Sequence, residues 1–279
     1  MQEIALQDEY DDFPDPDISH IITEDDTPVD NIFSEKQQRL LTESLNNSWN
    51  TDRPFVAAAN VGVFNKVSDP AIVPDMFLSL DVELPEDIWK KRNRSYFIWE
   101  YGKPPELVVE VVSNKQGGEN STKIQKYADM CVWYYIIYDP QKYIQKESLR
   151  VYELSAKGYI PKIDNQLSKV GLRVTLWEGI YEGRMDTWLR FCDEEGNLIP
   201  TGHERADSEQ KNAELAKQEA DSERKNAELA KQEADSERKN AELAKQEAKA
   251  DRNRAEQAED REKKLAEKLR AMGIDPDEL

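Results

Sequence analysis

Two stretches decide the fold: Pro105-Glu106-Leu107-Val108-Val109-Glu110-Val111-Val112 and Val132-Trp133-Tyr134-Tyr135-Ile136-Ile137-Tyr138-Asp139. Each is an apolar run of strand length with little alternation. Such runs fit strands covered on both faces, as in the middle of a parallel sheet. The residues between them, from about Glu119 to Met130, read as a helix. A buried strand, a helix and a second buried strand make a parallel crossover unit, so the fold class is α/β with a mixed sheet.

Working outward, the segment Ser34–Trp49 predicts a helix, with Ser34 as its cap and Leu41, Ser44, Leu45 and Trp49 on one apolar face. FVAAANVGVF (55–64) and AIVPDMFLSL (71–80) read as strands joined by a turn at Asn65–Pro70, and RSYFIWE (94–100) as another. Further strands are expected near 149–154 and 173–182. A hairpin is expected at 187–199, turning at Asp193-Glu194-Glu195-Gly196-Asn197.

Composition sets the limits of this core. Of 24 aromatic residues only Tyr10 and Phe13 lie outside 31–203. Neither end has the apolar bulk to offset chain entropy, so one domain at 31–202 is expected to hold the buried core. Residues 1–30 carry 11 acidic side chains and no Lys or Arg, which reads as a disordered acidic arm. The middle segment, with 24 acidic and 21 basic residues, is nearly neutral, although the whole chain has a formal charge of −19. A polyanionic partner is therefore compatible with it. The basic run Lys90-Lys91-Arg92-Asn93-Arg94 is where the arm could compete with such a partner.

From His203 to Met272 there is neither Gly nor Pro, and residues 206–219, 220–233 and 234–247 are three near-identical copies of a 14-residue unit. This predicts one long charged helix over 203–272, stopped by Gly273 and followed by a tail at 273–279. Fourteen residues are two heptads, with Ala recurring every seven from Ala206 through Ala255, but the second seam position alternates Ala with Glu. A solvated rod and a coiled coil that joins copies or a partner helix are both open at this point.

Several function classes drop out. The two cysteines, Cys131 and Cys192, cannot build a disulfide framework. The histidines, His20 and His203, both lie outside the core, which argues against a Ser-His or Cys-His nucleophile and a His-bound metal there. The run Gly117-Gly118-Glu119-Asn120-Ser121-Thr122-Lys123 lacks phosphate-loop spacing. The start has no apolar targeting segment and no run is long enough to span a bilayer, so a soluble, cytoplasmic protein is expected.

The chemistry must then rest on carboxylates and lysines. Glu110 stands inside a strand expected to be covered on both faces, where an unpaired carboxylate is costly. Asp75, within Ile72-Val73-Pro74-Asp75-Met76-Phe77-Leu78, has the same character. Lys123 lies on the following helix, one turn before Tyr127. Two carboxylates and an ammonium in a cleft would suit a hard divalent cation and an attacking water. The alternative is structural: Glu110 paired with Lys123 or Arg94, Asp75 capping a turn, and Lys123 solvated.

The order Pro74-Asp75, Glu110-Val111-Val112-Ser113, Lys123, Lys126-Tyr127 and Tyr134–Pro140 resembles the bacterial putative restriction endonuclease family often called Uma-two, within the PD-(D/E)xK nuclease superfamily. LLTESL in the first helix, WEGIYEGRMDTWLRF, the Gln/Glu/Ala-rich helix and the GIDPDEL end extend the similarity over essentially 31–279. The resemblance implies a restriction-endonuclease-like core, with a central mixed sheet flanked by helices, that hydrolyses DNA with Mg²⁺, or Mn²⁺ in its place. It implies Asp75 and Glu110 as metal ligands with the Val111 carbonyl as a third, and Lys123 as the catalytic lysine. The superfamily pattern would place that lysine at Val112, so Lys123 is a migrated one and Lys126 its competitor. The family's frequent histidine in the first helix aligns with Ser34, and Glu43 is a candidate auxiliary ligand. A catalytically silent binding or scaffold module acting through the long helix is the alternative function.

Overall fold

The computed structural model describes residues 16–21, 31–113 and 122–271. The described residues divide into two units, one ending at Asp207 and one beginning at Ser208.

In the first unit, α1 (Ile32–Ser48) is followed by β1 (Phe55–Ala58), β2 (Val63–Phe64), β3 (Met76–Leu80), β4 (Tyr96–Phe97) and the short α2 (Ile98–Tyr101). Then come β5 (Leu107–Val111), α3 (Ile124–Asp129), β6 (Tyr134–Tyr138), β7 (Leu149–Ser155), β8 (Gly158–Pro161), β9 (Gln166–Leu167), β10 (Leu172–Tyr181) and β11 (Arg184–Cys192). The main sheet has six strands in the order β1-β3-β5-β6-β7-β8. Only β5 and β6 run parallel within it, and α3 lies on the crossover between them. The mixed α/β sheet expected from the two apolar runs is therefore present, with those runs at its centre.

Strand alternation divides the interior into two cores. Met76, Leu78, Val109, Val111, Ile136 and Tyr138 face one way and pack with Leu41 and Leu45 of α1 and with Leu189 and Phe191 of β11. Phe77, Val108, Val112, Tyr135 and Ile137 face the other way and pack with Tyr127 of α3 and Tyr96 of β4. Glu110 falls on this second face by parity.

Several boundaries differ from the sequence reading. Asn31, not Ser34, caps α1: its side chain accepts the Ser34 N–H at 2.9 Å, and Ser34 is buried one turn in. The run 55–64 breaks into β1 and β2 around Asn60, whose φ of 54° places it in the left-handed region. Asn tolerates that region better than β-branched residues do. The run 94–100 yields only β4 before turning helical. The dominant hairpin joins β10 to β11 and turns at Glu182-Gly183, both with positive φ (46° and 76°), as a two-residue turn between twisted strands requires. The turn at 193–197 is also formed, returning the chain so that Ile199 N–H meets Phe191 C=O. Part of the arm expected to be disordered is ordered: Ile18 and the buried Ile21 pack on Phe64, Phe97 and Trp99. The other arm residues, the start of the helix expected from Glu119, and Gly273 lie outside the described residues.

A single helix, α4 (Gly202–Ala271), carries all three 14-residue copies. It begins with a reciprocal cap: Glu204 N–H donates to Thr201 Oγ1 (3.2 Å), and Thr201 N–H donates to the Glu204 carboxylate (2.8 Å). That carboxylate also takes both terminal nitrogens of the buried Arg190 at 2.7 Å, fixing the helix start to β11. From Ser208 to Leu265 the helix is exposed, and Leu215, Leu229 and Leu243 are each more than half accessible. Among the described residues no helix is long and apolar enough to cross a membrane.

Candidate active site

The site lies where β3 begins and β5 ends. These strands are antiparallel neighbours with Met76 opposite Val109, so one step further along the register sets Asp75 opposite Glu110. The two carboxylates therefore stand side by side at this end of the strand pair, each bearing on the other's proton affinity.

Glu110 is 1% exposed. Its Oε2 accepts from Lys123 Nζ at 2.7 Å, and its Oε1 accepts from Tyr127 OH at 2.6 Å. Lys123 and Tyr127 are four residues apart at the start of α3, one helical turn, which aims both at the same carboxylate. Burial pushes the Glu110 carboxyl up to about 8; the Lys123 ammonium opposes this and the Asp75 charge adds to it. Burial and the Glu110 carboxylate hold the Tyr127 hydroxyl well above its ordinary value, so it stays a donor.

Asp75 is half-buried. Its Oδ2 accepts the Val111 N–H at 2.6 Å and its Oδ1 accepts Gln38 Nε2 at 2.6 Å. Burial raises its carboxyl above the usual range, against the lowering effect of the Val111 N–H, Lys123, Glu110 and Gln38. Gln38 is itself held by Asn60, whose Nδ2 donates to Gln38 Oε1 at 2.6 Å. In an extended strand the N–H and C=O of one residue share an edge, so the Val111 carbonyl faces the edge where Asp75 lies.

The structure thus brings together Asp75, Glu110, Val111 and Lys123. Lys126 is exposed and is not among the donors to Glu110. Arg94 does not reach Glu110 as the alternative pairing would need; its Nε donates to the Trp89 carbonyl. Glu43 is turned toward β10, where its carboxylate accepts from Tyr181 OH at 2.9 Å, which gives it a structural partner. Two site residues, Gln38 and Tyr127, carry no role in the sequence reading. Gln38 is three residues before Leu41, and a buried amide on an apolar helix stripe is a sequence signal for a polar partner inside. Its neighbour Gln37 obeys the same logic, bridging both backbone groups of Leu189 at 2.8 and 2.9 Å.

Among the described residues no group of three or more His, Cys, Asp or Glu side chains is placed to hold a metal. The oxygen donors available are the two carboxylates and one backbone carbonyl, hard ligands of the kind Mg²⁺ takes together with water. Two adjacent carboxylates whose proton affinities are both raised also stand to gain from a divalent cation, which would offset their repulsion.

A family model described as putative restriction endonuclease, Uma2, matches residues 8–175. The match begins within the acidic arm and ends in β10, so it starts earlier than the sequence resemblance suggested and leaves the long helix outside. A comparison with curated proteins found no match.

Proposed function

Because the chain belongs to the Uma2 family of putative restriction endonucleases, we propose that it is a metal-dependent endonuclease acting on DNA phosphodiester bonds. The observation that carries this reading is the convergence of Asp75, Glu110 and Lys123 at the meeting of two central strands, with Lys123 Nζ 2.7 Å from the Glu110 carboxylate.

Asp75, Glu110 and the Val111 carbonyl would hold Mg²⁺ or Mn²⁺, which when bound lowers the pKa of a coordinated water and offsets charge on a phosphate. The chain's own groups do the remaining work. Gln38, braced by Asn60, and the Val111 N–H fix the orientation of the Asp75 carboxylate. Tyr127 fixes Glu110 from the opposite side. Such supporting hydrogen bonds orient ligands and keep them from collapsing on each other. Lys123 supplies a donor that can orient the attacking water or stabilise the negative charge that develops on the phosphoryl group.

A second reading, a nuclease-like binding module without cleavage, is favoured by one observation: both oxygens of each carboxylate already accept a hydrogen bond from the chain. Here the exposed α4 would supply the interaction, with a second copy or a partner helix. Nicking of supercoiled plasmid with Mg²⁺ or Mn²⁺ separates the two readings. Cleavage by the wild type that is lost in Asp75→Ala and Glu110→Gln supports the enzyme. Cleavage by Asp75→Ala at the wild-type rate removes the assignment of Asp75, and no metal-dependent nicking by the wild type leaves the binding module.

A further inference from the structure

A cavity of about 360 Å³ opens on the same face of the sheet as Glu110. Phe77 forms its floor, Ala58 and Val61 one wall, and the stacked rings of Tyr96 and Tyr101 another. Those two rings lie parallel within 4°, with centroids 4.3 Å apart. Trp89 overhangs the opening with 76% of its surface exposed, and Leu84 and Ile88 beside it are also exposed.

Trp89 is held in place by its backbone. Its N–H donates to Asp87 Oδ1 at 3.0 Å and its carbonyl accepts from Arg94 Nε at 2.9 Å. A large indole carried at the mouth of an apolar cavity beside exposed Leu84 and Ile88 and left in water is costly unless something covers it.

Two features tie the cavity to the carboxylate site. Phe77 pairs with Val108, two residues before Glu110 on the same strand face. At ~3.3 Å per residue the cavity floor lies about 7 Å along the sheet from the Glu110 position. Asn60, which holds Gln38 against Asp75, lies in sequence between the lining residues Ala58 and Val61. One loop therefore shapes the cavity and braces the site.

The rim identifies the chemistry of the occupant. Four of the five residues at 90–94 are cationic, and Arg94 lines the cavity itself together with Asn93 and Ser95. An aromatic slot with a few polar groups, bordered by cations, suits a flat heterocycle attached to a phosphodiester chain.

We propose that this cavity seats a base drawn out of the DNA stack next to the phosphodiester that the carboxylate site attacks. This rests on the nuclease reading and narrows it: the preferred substrate has an unpaired or easily unstacked nucleotide, because extruding such a base costs least. Trp89 covers the base, the Tyr101 ring stacked on the buried Tyr96 lines one side of it, and the 90–94 run contacts the adjoining phosphates.

The test measures fluorescence anisotropy of the full chain with Glu110→Gln, without metal, on two duplexes of equal length. One is fully paired and the other carries a single bulged 2-aminopurine, whose emission is quenched when it stacks on an aromatic ring. The expected result is binding to the bulged duplex about tenfold tighter or more, with quenching. Both effects should be lost in Trp89→Ala, which alters only an exposed side chain, and in Val61→Phe, which fills the cavity. Equal affinity for both duplexes, or a preference that survives Trp89→Ala, overturns the base seat. If wild-type plasmid nicking persists in that case, the nuclease reading stands without it. Failure to bind either duplex, together with no nicking by the wild type, overturns both.

Discussion

Replacing Glu110 with Gln should stabilise the metal-free protein, and increasingly so as pH rises. The carboxyl is buried among Val108, Val112, Tyr127, Tyr135 and Ile137, and its pKa is pushed from an ordinary 4.5 to about 8. A folded-state pKa above the unfolded value means that the native protein holds a proton which the unfolded chain releases. The associated stability is fully present below about pH 4.5 and is lost as pH rises through about 8. At ~1.4 kcal/mol per decade of proton affinity, the loss is on the order of 3 kcal/mol by pH 7 and approaches roughly 5 kcal/mol at pH 8 and above. Gln does not titrate, keeps an oxygen for Lys123 or Tyr127, and nearly matches Glu in volume. Urea unfolding followed by tryptophan fluorescence isolates the core, because all six tryptophans lie within 31–203 and the long helix is silent. With EDTA present, wild type should lose stability between pH 4.5 and 8 relative to Glu110→Gln. Millimolar Mg²⁺ should recover part of the loss only in the wild type, by about 2–3 kcal/mol if the ion reaches a hundred times its Kd. Parallel stability curves across that pH window would refute the claim that burial sets the proton affinity of Glu110.

Three further outcomes are expected. Lys123→Ala should slow metal-dependent nicking by ~10²-fold or more, as the loss of one preorganised donor does, while Lys126→Ala, altering an exposed side chain, should change it far less; equal effects would point away from Lys123. Glu204→Ala should destabilise the core by roughly 2–3 kcal/mol in urea, because it strips the buried Arg190 of its carboxylate and leaves the Thr201 N–H without its acceptor, while the bond from the residue-204 N–H to Thr201 Oγ1 stays. Deleting residues 1–15 leaves the Ile18 and Ile21 anchor and the Ser19 carbonyl that accepts from Lys91 Nζ. It removes six of the arm's 11 acidic side chains, so DNA affinity should rise at low salt and converge with wild type at high salt.

The parts of this protein legible in the sequence are those that a single period dictates. LVVEVV and YYIIY could only be central strands, and 70 residues without an interior Gly or Pro could only be helix. The boundaries were less legible wherever a polar side chain substitutes for backbone. Asn31 rather than Ser34 caps α1 although both residue types are good caps, and only the fold shows Ser34 buried one turn inside the helix. The short pieces β2, β4, β8 and β9 have too few residues to show a period and exist because tertiary partners hold them. Glu110 and Asp75 were visible as charges in the wrong setting. Their partners Gln38 and Tyr127 were not, since a glutamine on a helix stripe and a tyrosine in a core each have a commoner explanation.

That difference reflects how the site is built. Its carboxylates come from the ends of two strands buried between the two cores, whereas the groups that orient them come from α1 and α3, which pack on different cores. Gln38 reaches Asp75 from the side of the first core, and Tyr127 with Lys123 reaches Glu110 from the second. Loosening either helix would leave both carboxylates on their strands but free to take other rotamers, and catalytic geometry would be lost before the fold is. Gln38→Ala is the sharpest probe of this arrangement. It removes one bond to Asp75 and one from Asn60 Nδ2, but Asn60 is exposed and its freed amide can turn to water, so the cost in stability should stay near ~1 kcal/mol, the net worth of a typical hydrogen bond. Activity should therefore fall more than stability, and restoring an amide with Gln38→Asn should not rescue it, because the shorter side chain cannot span from α1 to both partners. A variant that loses stability in urea yet nicks DNA at the wild-type rate would show that Asp75 needs no such brace.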